Sequence, residues 1–155
     1  MANMILGDAY LMGRDGLEKD EKSGERLLKK ASKLGSVEAS FRLARHLETQ
    51  KANKQAKSIY VALCEVKYAP AAFVLGVSYM RGTFTEKDLN LATSYLELAA
   101  DAGHLYAKDW LAQSVIDSDV SYYQALKALL TRFVLKKRIE KLSRYDPNSD
   151  LIRLG

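Results

Sequence analysis

The sequence predicts an all-α fold, a right-handed α-solenoid of helix–turn–helix repeats closed by a long C-terminal capping helix. Three observations predict it. Leu-Gly or Leu-Ala pairs recur at Leu6-Gly7, Leu43-Ala44, Leu75-Gly76 and Leu111-Ala112, at spacings of 37, 32 and 36 residues. Each leucine has an alanine four residues before it (Ala2, Ala39, Ala71, Ala107) and Tyr10, Leu47, Tyr79 or Val115 four after it. Steps of four place all three on one helical face. The chain also holds only two prolines and nine glycines in 155 residues, which leaves it poor in strand and linker signals.

The first unit runs from Ala2 to Gly35. Gly13 and Gly16 mark its turn, Asp20 opens the second helix, and Leu27, Leu28 and Ala31 supply an apolar face. Gly35 suits the left-handed position after a helix, and Ser36 caps the next one. The second unit lacks the turn glycines, and its inter-helix loop at 50–53 is shorter. Ala56, Ile59, Tyr60, Leu63 and Val66 predict its second helix, with Lys67-Tyr68 in place of a glycine stop. Pro70 enforces the break because proline fits only a first helical turn. The third unit spans 71–107: Leu75, Gly76 and Tyr79 on one helix, Gly82 at its end, Asp88 opening the next, and Ala92, Tyr95, Ala99 and Ala100 facing inward. A fourth begins at Ala107 and carries Trp110 and Leu111. Asp117-Ser118-Asp119 then predicts a turn and cap, followed by a long helix over about 121–144. Leu126, Leu129, Leu130, Phe133 and Val134 predict the buried stripe of that helix. The expected organisation is one domain over 1–146, with units at about 2–38, 39–70, 71–106 and 107–144, and a loosely packed tail at 147–155.

These residues resemble the Sel1-like repeat, a relative of the tetratricopeptide repeat. The family pattern is roughly A-x3-L-G-x2-Y-x2-G-x-G-x3-D-x3-A-x2-[WY]-x2-[KA]-A-A-x2-G-x3-A. Residues 71–107 match nearly throughout, with Phe84 at the second turn glycine. Residues 2–39 match with one extra turn residue and Gly24 in place of the second-helix alanine. The resemblance implies non-catalytic adaptor roles, among them that of a small immunity or inhibitory protein that occludes a partner enzyme. Packing logic supports the pattern: one repeat cannot bury its own apolar face, so stacked neighbours must. The first helix begins in register with the chain, so its outer side is expected to be open to a second copy in a homodimer or, equally, to further repeats of a longer array.

Composition narrows the function class. The formal charge is +5, yet residues 119–155 carry 8 of the 24 basic and only 4 of the 19 acidic side chains, so the rest is near neutral. The single cysteine, Cys64, excludes an internal disulfide and predicts a reducing compartment. The amino terminus has no basic n-region, and Asp8 interrupts its apolar run. No run reaches the roughly 18 apolar residues of a membrane span. A cytoplasmic protein with no membrane association is expected.

No catalytic residues, metal ligands or cofactors are predicted. His46 and His104 stand 58 residues apart with no partner at catalytic spacing. Cys64, between Leu63 and Val66, reads as an inert core thiol. Asp15, Glu18, Asp20 and Glu21 lack the spacing of a calcium loop and read as a cap and solvated turn.

A protein or peptide partner is the expected ligand. In a right-handed array the first helix of each unit lines the concave groove. Positions −1, +2 and +6 from each leucine then point into it: Ile5, Asp8 and Met12; Arg42, Arg45 and Thr49; Val74, Val77 and Arg81; Trp110 and Gln113. Tryptophan and arginine favour hot spots. The alternative is the basic C-terminal helix, with Lys136, Lys137, Arg138, Lys141 and Arg144 binding nucleic acid or another acidic partner. Of the two, nucleic acid is disfavoured because the array lacks the base-reading residues that such modules use.

Overall fold

The computed structural model describes residues 2–116 and 121–153, and within these the side chains of all but Val115, Tyr122 and Tyr123. The turn expected at Asp117-Ser118-Asp119 and the facing of Val115 lie outside the described residues. The described residues form eight helices and no strand: α1 (Ala2–Met12), α2 (Glu21–Lys33), α3 (Val37–Thr49), α4 (Asn53–Glu65), α5 (Ala69–Arg81), α6 (Leu89–Asp101), α7 (Leu105–Ile116) and α8 (Tyr122–Tyr145). The chain divides into two compact units, residues 1–63 and 64–155.

In the first unit α1 and α2 form an antiparallel hairpin, with Gly7 against Leu27 and Leu28 and Leu11 against Gly24. Asp20 starts α2 by accepting the Ser23 amide at 3.1 Å, and Ser36 starts α3 by accepting that of Ala39 at 3.2 Å. Those bonds satisfy amides that a helix N-terminus leaves without partners. The acidic turn before α2 is therefore a cap and a solvated loop, as its composition suggests. Phe41 on α3 meets Tyr60 on α4 edge-on at 5.8 Å, both fully buried.

In the second unit Gly76 on α5 lies against Leu96 on α6, and Tyr79 stacks on Tyr95 at 5.6 Å. Gly82 adopts φ 70° and ψ 33°, the left-handed conformation that stops a helix. Ala72, Phe73, Leu96, Ala99, Ala100 and Ala107 form a buried cluster, and Cys64, half-buried, packs against it. Lys67 holds φ 58°, so a non-glycine residue occupies the left-handed position after α4. Pro70 sits in the first turn of α5.

Two expectations are corrected here. The apolar stripe predicted for the core side of α8 is solvent-exposed: Leu126, Leu129, Leu130, Phe133 and Val134 all face outward. The buried face is on the opposite side of the helix, at Ala128, Leu135 and Ile139. The tail is not loose. Ile152 is buried with Leu105, Leu135 and Ile139, and the Leu105 amide donates to the Leu151 carbonyl at 2.5 Å. The segment Asp-Leu-Ile-Arg carries enough apolar area to seat on α7 and α8. Flanking Pro147 and polar residues hid that in the sequence.

Candidate functional site

In the first unit the predicted groove residues surround an ion-pair cluster. Arg42 Nη1 lies 2.6 Å from Asp8 Oδ2, and Arg42 Nε donates to Glu38 Oε1 at 2.6 Å. Partial burial alone would lower the Arg42 pKa, but the two carboxylates outweigh it and raise it further. One turn on, Arg45 and Tyr60 both donate to Glu48 Oε2 at 2.7 Å. Burial, and then Glu48, push the Tyr60 phenol well above its ordinary range. Both arginines are thus held by carboxylates of this unit, and their charge is already matched. Beside them a concavity of about 210 Å³ is lined by Met4, Ile5, Asp8, Ala9, Arg14, Asp15 and Arg42. Ile5 and Met12 are each 58% exposed on α1. Thr49 is exposed at the end of α3.

In the second unit the predicted residues separate. Val74 is only 6% exposed and belongs to the packed interior, so its side chain is not offered to a partner. Helix α5 is buried nearly all round, and its high apolar content leaves no face for period-based reasoning to distinguish. Val77 is half-buried against the α5–α6 cluster. Arg81 is exposed at the end of α5, and Trp110 on α7 is 40% exposed. Gln113 accepts from Arg132 Nη1, joining α7 to α8. Arg132 also pairs with Asp109, its Nε 2.8 Å from Oδ1. The basic patch residues Lys136, Lys137, Arg138, Lys141 and Arg144 are all exposed, and Lys137 Nζ lies 4.7 Å over the Phe133 ring.

The titratable groups most suited to catalysis are engaged in packing. His104 is fully buried, stacks on Phe73 at 4.4 Å, and bridges the Arg153 carbonyl (Nε2, 2.7 Å) and the Ala107 amide (Nδ1, 3.3 Å). Burial lowers its pKa, against the Arg153 carbonyl and Asp150. His46 lies near Gln50 (2.9 Å) and Glu25 (3.9 Å). Burial pushes the Cys64 thiol up to about 11, away from the reactive thiolate range. Among the described residues no three His, Cys, Asp or Glu side chains could hold a metal ion together. No described helix is long and apolar enough to cross a membrane.

Three features were missed by sequence reasoning: the Arg45–Glu48–Tyr60 junction, the exposed face of α8 and the seated tail. The first had a usable signal, since Arg45 and Glu48 stand three apart on one helix. The others depend on which neighbour covers a segment, and periodicity carries no record of that.

Comparison with known proteins agrees with this architecture. The Sel1 repeat family matches residues 1–36 and 69–104. A Sel1 repeat protein from Oxalobacter formigenes superposes with a TM-score of 0.73 at 20% identity, over 97% of this chain and 68% of that one. The protective antigen c5321 of uropathogenic Escherichia coli, which displays an SLR fold, gives 0.66 at 18% identity. That match covers 96% of this chain and 38% of the antigen. These likenesses place the chain in the α-solenoid fold class. No curated protein matches.

Proposed function

We propose, from the premise that Sel1 repeats occupy residues 1–36 and 69–104, that this chain is a non-catalytic protein–protein interaction module. Sel1 repeats generally mediate protein interactions. The observation that carries the reading is the α1–α3 face: exposed Ile5 and Met12 beside a concavity with the Asp8–Arg42 ion pair in its wall. Apolar side chains around a fixed, matched charge pair suit a partner that buries the centre and bonds the rim. The role is of adaptor or inhibitor type, the latter including an immunity protein that covers a partner enzyme.

The test is capture of partners from the native host at low and moderate salt, with wild type and Ile5→Asp/Met12→Asp compared. One protein retained at both salt concentrations and lost from the variant is the expected result. A partner retained by the variant would reject the α1–α3 face. Light scattering on the same samples separates a foreign partner from a second copy paired through α1.

A further inference from the structure

Helix α8 presents two apolar faces, and among the described residues one is packed and the other exposed. The inner one, at Ala125, Ala128, Leu135, Ile139 and Leu142 with the ion-paired Arg132 among them, alternates steps of three and four and is buried or half-buried. The outer one carries Leu126, Leu129, Leu130, Phe133 and Val134, with Phe133 58% and Val134 63% exposed. At about 100° per residue these five fall within an arc of roughly 140°. Lys137, Lys141 and Arg144 continue the same arc toward the C-terminus, and Lys127 and Lys136 border it. Residues 126–145 hold seven basic side chains and one acidic one, Glu140. A shallow hollow of about 380 Å³ lies among Lys137, Glu140, Lys141, Arg144 and the exposed Tyr145.

We propose that this outer face of α8 binds an anionic lipid bilayer surface, the apolar arc entering the interface and the basic arc meeting lipid phosphates. The charge requires an anionic counterpart. A second copy would bring the same cations to the contact. The five apolar side chains come from one helix and form a ridge, whereas a peptide helix docks into a groove. A bilayer interface uses both features at once, and stable attachment takes just such a combination of apolar insertion and basic charge. Tyr145 at the end of the arc has the amphipathic character favoured at headgroup depth. The stripe from Leu129 to Val134, expected in the core from sequence, would leave α8 no apolar face for a membrane surface; its exposure supplies one. The proposal concerns a different element from the α1–α3 face and stands or falls separately.

The experiment is flotation of the full chain with vesicles of pure phosphatidylcholine, or with roughly one-third phosphatidylserine added. Binding to the anionic vesicles alone is expected. Lys137→Gln/Lys141→Gln/Arg144→Gln should weaken partitioning about 100-fold. Leu130→Gln/Phe133→Gln, at unchanged charge, should weaken it tenfold or more. Full binding by the latter variant would overturn the proposal, since attraction would then be purely electrostatic. A light-scattering dimer abolished by Leu130→Gln/Phe133→Gln, or capture of RNA or an acidic protein, each without vesicle binding, would also overturn it. Phe133→Trp in a Trp110→Phe background keeps the arc apolar: its emission should shift to the blue with anionic vesicles, and an unshifted spectrum would reject insertion.

Discussion

A Cβ built on Gly24 would lie 2.7 Å from Leu11 Cγ and 2.8 Å from the Gly7 carbonyl oxygen. Neither neighbour can withdraw easily, because Leu11 is buried and the carbonyl belongs to α1. Gly24→Ala, although it restores the residue the repeat pattern calls for, should cost about 1–3 kcal/mol through overpacking, read as a shift of the denaturation midpoint at constant m-value. A null or stabilising effect would mean that α1 and α2 can part without loss. Gly24 was visible in the sequence as a departure from the pattern. Its reason was not, since the pattern does not say that Leu11 fills the space an alanine methyl would take. Lys67 is the reverse case: the sequence shows the missing glycine, and the backbone keeps the left-handed turn regardless.

Helix α8 shows why a single helix can be read correctly in extent and wrongly in orientation. Its start is set by a capping box, with the Ser121 hydroxyl accepting from the Gln124 amide and the Gln124 side chain accepting from the Ser121 amide. Its face is decided by α7. Arg132 grips Asp109 through two nitrogens, Nε to Oδ1 at 2.8 Å and Nη2 to Oδ2 at 3.3 Å, which turns that side inward. The side chains of both residues are about one-fifth exposed, so the pair is only partly screened. Arg132→Ala should therefore cost about 1–2 kcal/mol, because it leaves Asp109 partly desolvated without its two charge-assisted bonds. Urea titration checks this, and Asp109→Asn/Arg132→Met should recover part of the loss. If the single and double variants are equally unstable, the contact orients nothing.

Along the whole chain, distant segments meet at His104, whose Nε2 reaches the tail at Arg153. Both ring nitrogens are engaged, Nε2 donating to a carbonyl and Nδ1 accepting from an amide, which requires the neutral imidazole. Its pKa is lowered by burial. The unfolded chain therefore takes up a proton at higher pH than the folded one. The stability held above the ordinary histidine pKa of about 6.5 falls as pH drops below it, until the lowered folded value is reached. His104→Asn keeps a cap for the Ala107 amide but loses the tail bond. It should be less stable at pH 8 and should lack the extra loss between neutral and mildly acidic pH. Thermal melts from pH 8 to pH 5 decide it, and an equal slope in both proteins would remove His104 as the cause.

What the sequence determined by itself is local or periodic. Alanine, leucine and glycine at repeating steps specify where helices run, and Asp20, Ser36, Gly82 and Asp88 specify where they start and stop. Such signals act within a few residues and survive in one dimension. Tertiary structure alone decided that Val74 is interior, that Asp8 joins Arg42 and Tyr60 joins Arg45 at Glu48, that the tail is seated, and that α8 buries Leu135 and Ile139 while exposing Leu130 and Phe133. Burial is a property of what covers a residue. For a helix apolar on two faces, both orientations satisfy the same periodicity until a neighbour makes contact with one of them.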